Sequence, residues 1–202
     1  GGTSVMNGTS VITETASVPV SVTIMPSANN VCQGTSVSFT ATPVGGGEEP
    51  TYQWYKNGLM VGSTATYTDV NALNSDVVYV KLTSNAPCAT GNPASSNSVT
   101  LVVNPIIPAS VSIGVSANNV CEGTPVTYTA TPVGGATAPV YQWFENGAVV
   151  GTGNTFADDA SNGDKVYVVM TSNATCASGN PATSNIVTMV TNPLIPASVS
   201  IT

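Results

Sequence analysis

The sequence predicts an all-β protein made of antiparallel β-sandwich domains arranged end to end. Three observations carry this. Val, Thr, Ser, Ile and Tyr dominate and are interrupted by 19 Gly and 14 Pro, which is strand material punctuated by turn residues. The chain repeats itself at a spacing close to 88 residues. Within each repeat, short segments alternate apolar and polar residues, and none has the 3.6-residue period of a helix.

The repetition is explicit. Ser27-Ala28-Asn29-Asn30-Val31-Cys32 recurs 89 residues later as Ser116-Ala117-Asn118-Asn119-Val120-Cys121. Tyr52-Gln53-Trp54 recurs as Tyr141-Gln142-Trp143, and Asn57-Gly58 as Asn146-Gly147. After a one-residue deletion, Cys88 matches Cys176, and Gly91-Asn92-Pro93-Ala94 matches Gly179-Asn180-Pro181-Ala182. Pro108 to Ile113 opens the second repeat, and Pro196 to Ile201 reads as the opening of a third. Thr9 to Glu14 reads as the last strand of an earlier one. The expected organisation is therefore a preceding strand in 1–17, repeats over 18–104 and 105–193, and a following strand in 194–202. A length of 202 residues suits two domains of about 100 each. The Asn104-Pro105 and Asn192-Pro193 junctions are short, so neighbouring repeats are expected to abut.

The strands of the first repeat follow in order. Val20 to Ile24 alternates cleanly, and Ser36 to Ala41 turns Val37, Phe39 and Ala41 to one face. Thr51 to Lys56 comes next, with Tyr52, Trp54 and Lys56 on one face and Gln53 and Tyr55 on the other. Asn57-Gly58 is a tight-hairpin signal, since both residues tolerate the positive φ such a turn requires. Ala65 to Thr68, Val77 to Thr83 and Ser98 to Val103 complete the set. About seven strands in a repeat of this size is the count of an immunoglobulin-like sandwich, with Trp54 and Trp143 in its two cores.

Val31-Cys32-Gln33-Gly34-Thr35-Ser36-Val37-Ser38-Phe39, Tyr52-Gln53-Trp54-Tyr55-Lys56-Asn57-Gly58, Asp76 to Tyr79 and Cys88 together carry a resemblance. They resemble the immunoglobulin-like repeats of very large surface proteins of Bacteroidota. Those proteins include cell-surface adhesins, some linked to gliding motility and exported by the type IX system. The resemblance covers both repeats and implies a secreted structural stalk or filament segment, with adhesion residing elsewhere. It departs from the antibody pattern, in which a cysteine in mid second strand meets one in mid sixth strand beside the core Trp. Ala41 and Lys81 stand near those positions, whereas Cys32 precedes the second strand and Cys88 follows the sixth.

Two cysteines per repeat, at matching places and without His or a Cys-x-x-Cys spacing, point to structural disulfides of an oxidising compartment rather than zinc. The second and sixth strands of such a sandwich run in the same direction. The start of one and the end of the other then lie at opposite poles, roughly 20 Å apart for strands of this length. A disulfide requires Cα atoms within about 7 Å. This favours an interdomain Cys32–Cys176 bond, with Cys88 and Cys121 serving neighbouring repeats. Two bonds within repeats, Cys32–Cys88 and Cys121–Cys176, are the alternative.

Charged residues make up only 6% of the chain, with three Lys, no Arg, no His and a net charge of −7. Nucleic acid and anionic membrane surfaces are excluded as partners by that balance, and no apolar run approaches the roughly 20 residues of a spanning helix. The expected partners are neighbouring repeats of the same polypeptide, with surface glycans or other cells as further candidates, at an extracellular location. A surface of Ser, Thr and Asn with so few Lys also gives trypsin-like proteases little to cut.

No catalytic constellation is expected: there is no His, and only Asp69/Asp158 and Asp76/Asp164 recur among the acids. Asp at these turn positions commonly accepts bonds from nearby backbone amides. Asp158, Asp159 and Asp164 are candidate calcium ligands, and no other cofactor is expected. Isopeptide cross-links would require a repeating Lys, but Lys56 aligns with Glu145, Lys81 with Val169 and Lys165 with Val77. Tyr55 and Phe144 are candidates for an exposed glycan-stacking face or for packing within the sheet. Two other functional readings remain open at this level: a glycan- or protein-binding module, and a fibre subunit that polymerises by donating a strand.

Overall fold

Along Ser21–Pro26 the side chains of Val22 and Ile24 are buried while Thr23 and Met25 are exposed, which is the alternation that a half-buried strand imposes. The same rule builds the rest of the molecule. The computed structural model describes residues 14–199. It falls into two compact units, one ending at Val103 and the other starting at Asn104, each with its own hydrophobic core. Among the described residues there is no helix, and none long and apolar enough to cross a membrane.

In the first unit, six principal strands are β1 (Ser21–Pro26), β2 (Val37–Val44), β3 (Thr51–Lys56), β4 (Leu59–Gly62), β5 (Thr66–Asp69) and β6 (Val77–Thr83). One sheet has the order β1–β2–β5, all antiparallel. The facing sheet has the order β4–β3–β6, extended on the far side of β6 by the short segments Ala94–Ser95 and Val99–Thr100. The second unit repeats this build with β7 (Ser110–Val115), β8 (Pro125–Val133), β9 (Val140–Glu145), β10 (Ala148–Thr152), β11 (Thr155–Asp159) and β12 (Lys165–Thr171). Two antiparallel sheets over one core make each unit an immunoglobulin-like sandwich.

The ranges of β3 and β6 coincide with the segments read from alternation. The Asn57-Gly58 turn has φ of 52° and 81°, and it leads into β4, a strand the alternation pattern did not reveal. Leu59, Met60 and Val61 are all solvent-exposed, so no apolar–polar rhythm marks them. The final strand is broken where one continuous segment, Ser98 to Val103, was expected. Pairing with β6 ends at Thr100 and strand resumes only at Val103. Just ahead of that segment, between Ala94–Ser95 and Val99–Thr100, Asn97 reaches the opposite sheet, where its Oδ1 accepts Ile24 N at 2.9 Å and its Nδ2 donates to Ile24 O at 3.2 Å. Asn185 does the same to Ile113 at 2.9 and 3.1 Å.

The recurring Asn29 and Asn118 also have a structural task. Asn29 accepts Val102 N at 2.8 Å and donates to Thr100 O at 3.0 Å, clamping the end of the chain's path through the unit. Asn118 holds Val190 and Thr188 likewise. At the entry end, Val18–Pro19 pairs in parallel with Ala89–Thr90. A Cβ at Gly45 would lie 2.3 Å from Pro19 O, and one at Gly134 would lie 2.2 Å from Pro108 O, so only glycine admits this approach. Of the expected flanking strands, Thr9 to Thr13 and Ser200 to Thr202 lie outside the described residues, and Pro193 to Val199 carry no strand.

Trp54 and Trp143 are completely buried. Trp54 packs against Phe39 and Tyr67 of the other sheet at ring-centroid distances of 6.1 and 5.9 Å, and Phe39 and Tyr67 stack at 6.0 Å. Its indole N–H donates to Thr64 O at 2.8 Å, which removes the cost of burying a polar edge. Tyr128, Trp143 and Phe156 reproduce the triad, with the indole bonded to Gly153 O at 2.9 Å. Trp54→Ala or Trp143→Ala is expected to cost about 3–5 kcal/mol by urea unfolding. The next residue along, Tyr55, sits on the outer face stacked on Tyr79. Tyr55→Ala should cost only about 0.2–1 kcal/mol, the worth of a cross-strand pair.

Candidate functional site

Alternation along β3 sends Tyr52, Trp54 and Lys56 toward the interior, and Lys56 comes last, where the core meets the turn between β5 and β6. Its ammonium lies 2.8 Å from Asp69 Oδ2 and 2.7 Å from Asp76 Oδ2, and it donates to Asn71 O at 3.0 Å. Both carboxylates are buried, at 3% and 4% exposure. They also shape the turn. Asp69 accepts Asn71 N at 3.1 Å, while Asp76 accepts Leu73 N and Asn57 Nδ2, both at 2.8 Å. The recurring aspartates are thus turn formers and counter-ions together.

Electrostatics follow from that geometry. Burial opposes charge on Lys56, but its bonds to Asp69 and Asp76 and their fields outweigh it and raise the ammonium above its ordinary value. Lys56 is therefore held protonated, as a counter-ion and not as a nucleophile. For Asp76, burial works upward, yet the bonds from Lys56, Asn57 and Leu73 prevail and lower its carboxyl.

The second unit keeps both aspartates and changes the third residue. Glu145 ends β9 where Lys56 ends β3, and its carboxylate, Asp158 and Asp164 offer oxygens all within 4.8 Å of one another. Asn146 still donates to Asp164 at 2.9 Å, so the turn is preserved. Burial first, then the bond with Asp158 and the charges of Asp158 and Asp164, push the Glu145 carboxyl up to about 7. Burial, followed by the same three carboxylates, pushes the phenol of Tyr128 to about 12.

Of the three candidate calcium ligands, Asp158 and Asp164 lie together in this cluster. Asp159 is exposed, because alternation along β11 turns it to the opposite face from Asp158, and Glu145 takes its place in the cluster. Glu145 escapes notice when only recurring acids are considered, since its counterpart is a lysine. The signal that could have found it is the inward face of β9, which reads Tyr141, Trp143, Glu145.

The cysteines occupy opposite ends of their units. Cys32 follows Val31, whose N–H bonds Val102 O at 3.0 Å beside the exit strand, whereas the carbonyl of Cys88 accepts Val18 N at 3.1 Å beside the entry strand. Cys121 pairs with Asn192, and the carbonyl of Cys176 accepts Ile107 N at 3.0 Å. Cys32 and Cys176 are each in disulfide form, whereas Cys88 and Cys121 are free and exposed. On the outer faces, Tyr55 and Phe144 are absorbed in cross-strand stacks with Tyr79 and Tyr167, at 5.0 and 4.9 Å.

No family model matches the chain, and no curated protein matches it. Solved structures similar to it include the three N-terminal domains of the highly immunogenic outer capsid protein of bacteriophage RB49, at 17% identity and a TM-score of 0.38 over 85% of this chain and 59% of that one. The fibronectin(III)-like modules of Clostridium thermocellum CbhA are similar at 13% identity and a TM-score of 0.35, over 88% and 100%. The mouse nectin-like molecule 4 ectodomain is similar at 12% and 0.36, over 89% and 66%. The chain spans less than two thirds of the phage and nectin-like structures.

Two outcomes test the charge clusters. Lys56→Met leaves two buried carboxylates without their cation and is expected to cost about 3 kcal/mol by urea unfolding. Glu145 behaves oppositely with pH. Its folded value of about 7 lies above the ordinary 4.5, so its contribution is complete below pH 4.5 and is lost as pH rises through about 7. In metal-free buffer, calorimetric melting should show the second unit losing stability from pH 5 to pH 8, and Glu145→Gln should flatten that slope.

Proposed function

We propose that this chain is a load-bearing segment of a secreted, repetitive cell-surface stalk or filament, of the kind found in type IX-exported adhesins of Bacteroidota. The supporting observation is the placement of the cysteines. Each unit carries one sulfur at its exit end and one at its entry end, and Cys88 and Cys121 are free. The pairing this favours is Cys32 with Cys176, so that the exit sulfur of one repeat bonds the entry sulfur of the next. By the same rule, Cys88 would bond a preceding repeat and Cys121 a following one.

In this reading repetition supplies length, and the disulfide adds a second covalent connection across each junction. Such a bond closes a long loop, for which chain entropy gives a stabilisation of about 2–4 kcal/mol. Low charge and few Lys leave little for proteases with trypsin-like preference, which suits an exposed filament.

Chymotryptic peptide mapping without reduction is the direct experiment. The expected result is one linked pair joining Cys32 to Cys176, with Cys88 and Cys121 alkylated as free thiols. A peptide joining Cys32 to Cys88 would overturn the stapled-stalk reading.

A further inference from the structure

We propose that the second unit binds one calcium ion between Glu145, Asp158 and Asp164, at the position filled in the first unit by the ammonium of Lys56. The two units supply the comparison. In the first, the aspartates at these two positions hold a cation directly, at 2.8 and 2.7 Å. In the second, the same aspartates are present on the same elements, the lysine is gone, and its replacement adds a third carboxylate to the cluster.

Charge balance points to a divalent ion. Two aspartates around one ammonium leave a net charge of −1 in the first unit. Three carboxylates around a divalent cation leave the same −1 in the second. A second, local observation agrees: Glu145 Oε1 is buried and, among the described residues, accepts no hydrogen bond. A buried carboxylate oxygen without a donor is costly unless a cation satisfies it.

The donor set selects the ion. Oxygen ligands alone, with no imidazole or thiolate, suit hard cations rather than zinc or copper. Calcium accepts irregular oxygen geometry with six to eight ligands, whereas magnesium demands a near-ideal octahedron and keeps most of its water, so a cluster of three carboxylates on separate elements suits calcium better. Asp164 keeps its bond from Asn146, and all three residues are only partly buried, so water can complete the six to eight ligands calcium takes. The site would fasten the ends of β9 and β11 to the turn before β12, as Lys56 fastens their counterparts.

The experiment is calorimetric titration of calcium chloride into the intact, oxidised chain after chelator treatment, with magnesium chloride as the competing ion. The expected result is one calcium per chain, with affinity in the range of about 10⁻⁴–10⁻³ M typical of extracellular modules, and weaker binding of magnesium. Glu145→Lys restores the arrangement of the first unit, so it should fold and lose calcium binding entirely. Asp158→Asn, checked for an intact near-ultraviolet spectrum, should weaken it at least about tenfold. Wild-type protein that shows no binding up to 10-fold above that range, or a Glu145→Lys variant that binds as wild type does, overturns the proposal.

Discussion

Each sandwich is closed around an indole. Trp54 and Trp143 stand on the central strand of one sheet and fill the gap to the other, where an aromatic pair receives each ring. An indole is large enough to bridge most of the roughly 10 Å between packed sheets. The cores otherwise consist of small and medium apolar residues such as Val37, Val78 and Val80, or Val126, Val166 and Val168. The N–H of each indole reaches a backbone carbonyl, so the ring is fixed in orientation as well as buried. The registers of β3 with β4 and of β3 with β6 follow from holding that one side chain in place, since a slip of one residue would turn the indole to solvent.

The same register carries position 56 or 145 to the edge of the core, and there the two units part. Two strand ends and a turn converge, each bringing one polar side chain into a partly closed space. With lysine, the three groups form a compact ion cluster whose members also cap the turn. With glutamate, the bond from Asn146 to the turn aspartate remains, but a third carboxylate stands where the ammonium was. The difference lies in one inward-facing residue, and the fold around it is unchanged.

Strand direction decides the rest. Because the second and sixth principal strands run in parallel, a cysteine before the one and a cysteine after the other are placed at opposite ends of a unit. Main-chain bonds secure both places, with Cys88 tied to the entry segment and Val31 to the exit segment. In the stalk reading, this arrangement turns a feature of a single sandwich into a rule for joining many, since each unit presents one sulfur in each direction.

Much of this was legible in the sequence. The period near 88 residues, the alternation along Val77 to Thr83 and the inward set Val37, Phe39, Ala41 follow from local chemistry, and local chemistry is what a sequence records. Asn57-Gly58 signalled a hairpin for the same reason, because its positive φ angles are a property of those two residues. What the tertiary structure alone decided depends on groups distant in the chain. Asn97, between the two short segments that extend the sheet beyond β6, bonds Ile24, 73 residues away, and no local pattern anticipates that. Asp159 and Asp158 are neighbours in sequence but face opposite ways, whereas Glu145 reaches Asp158 and Asp164 only when three elements meet. Alternation assigns a side chain to a face; which charges it finds there is set by how the sheets close around the indole.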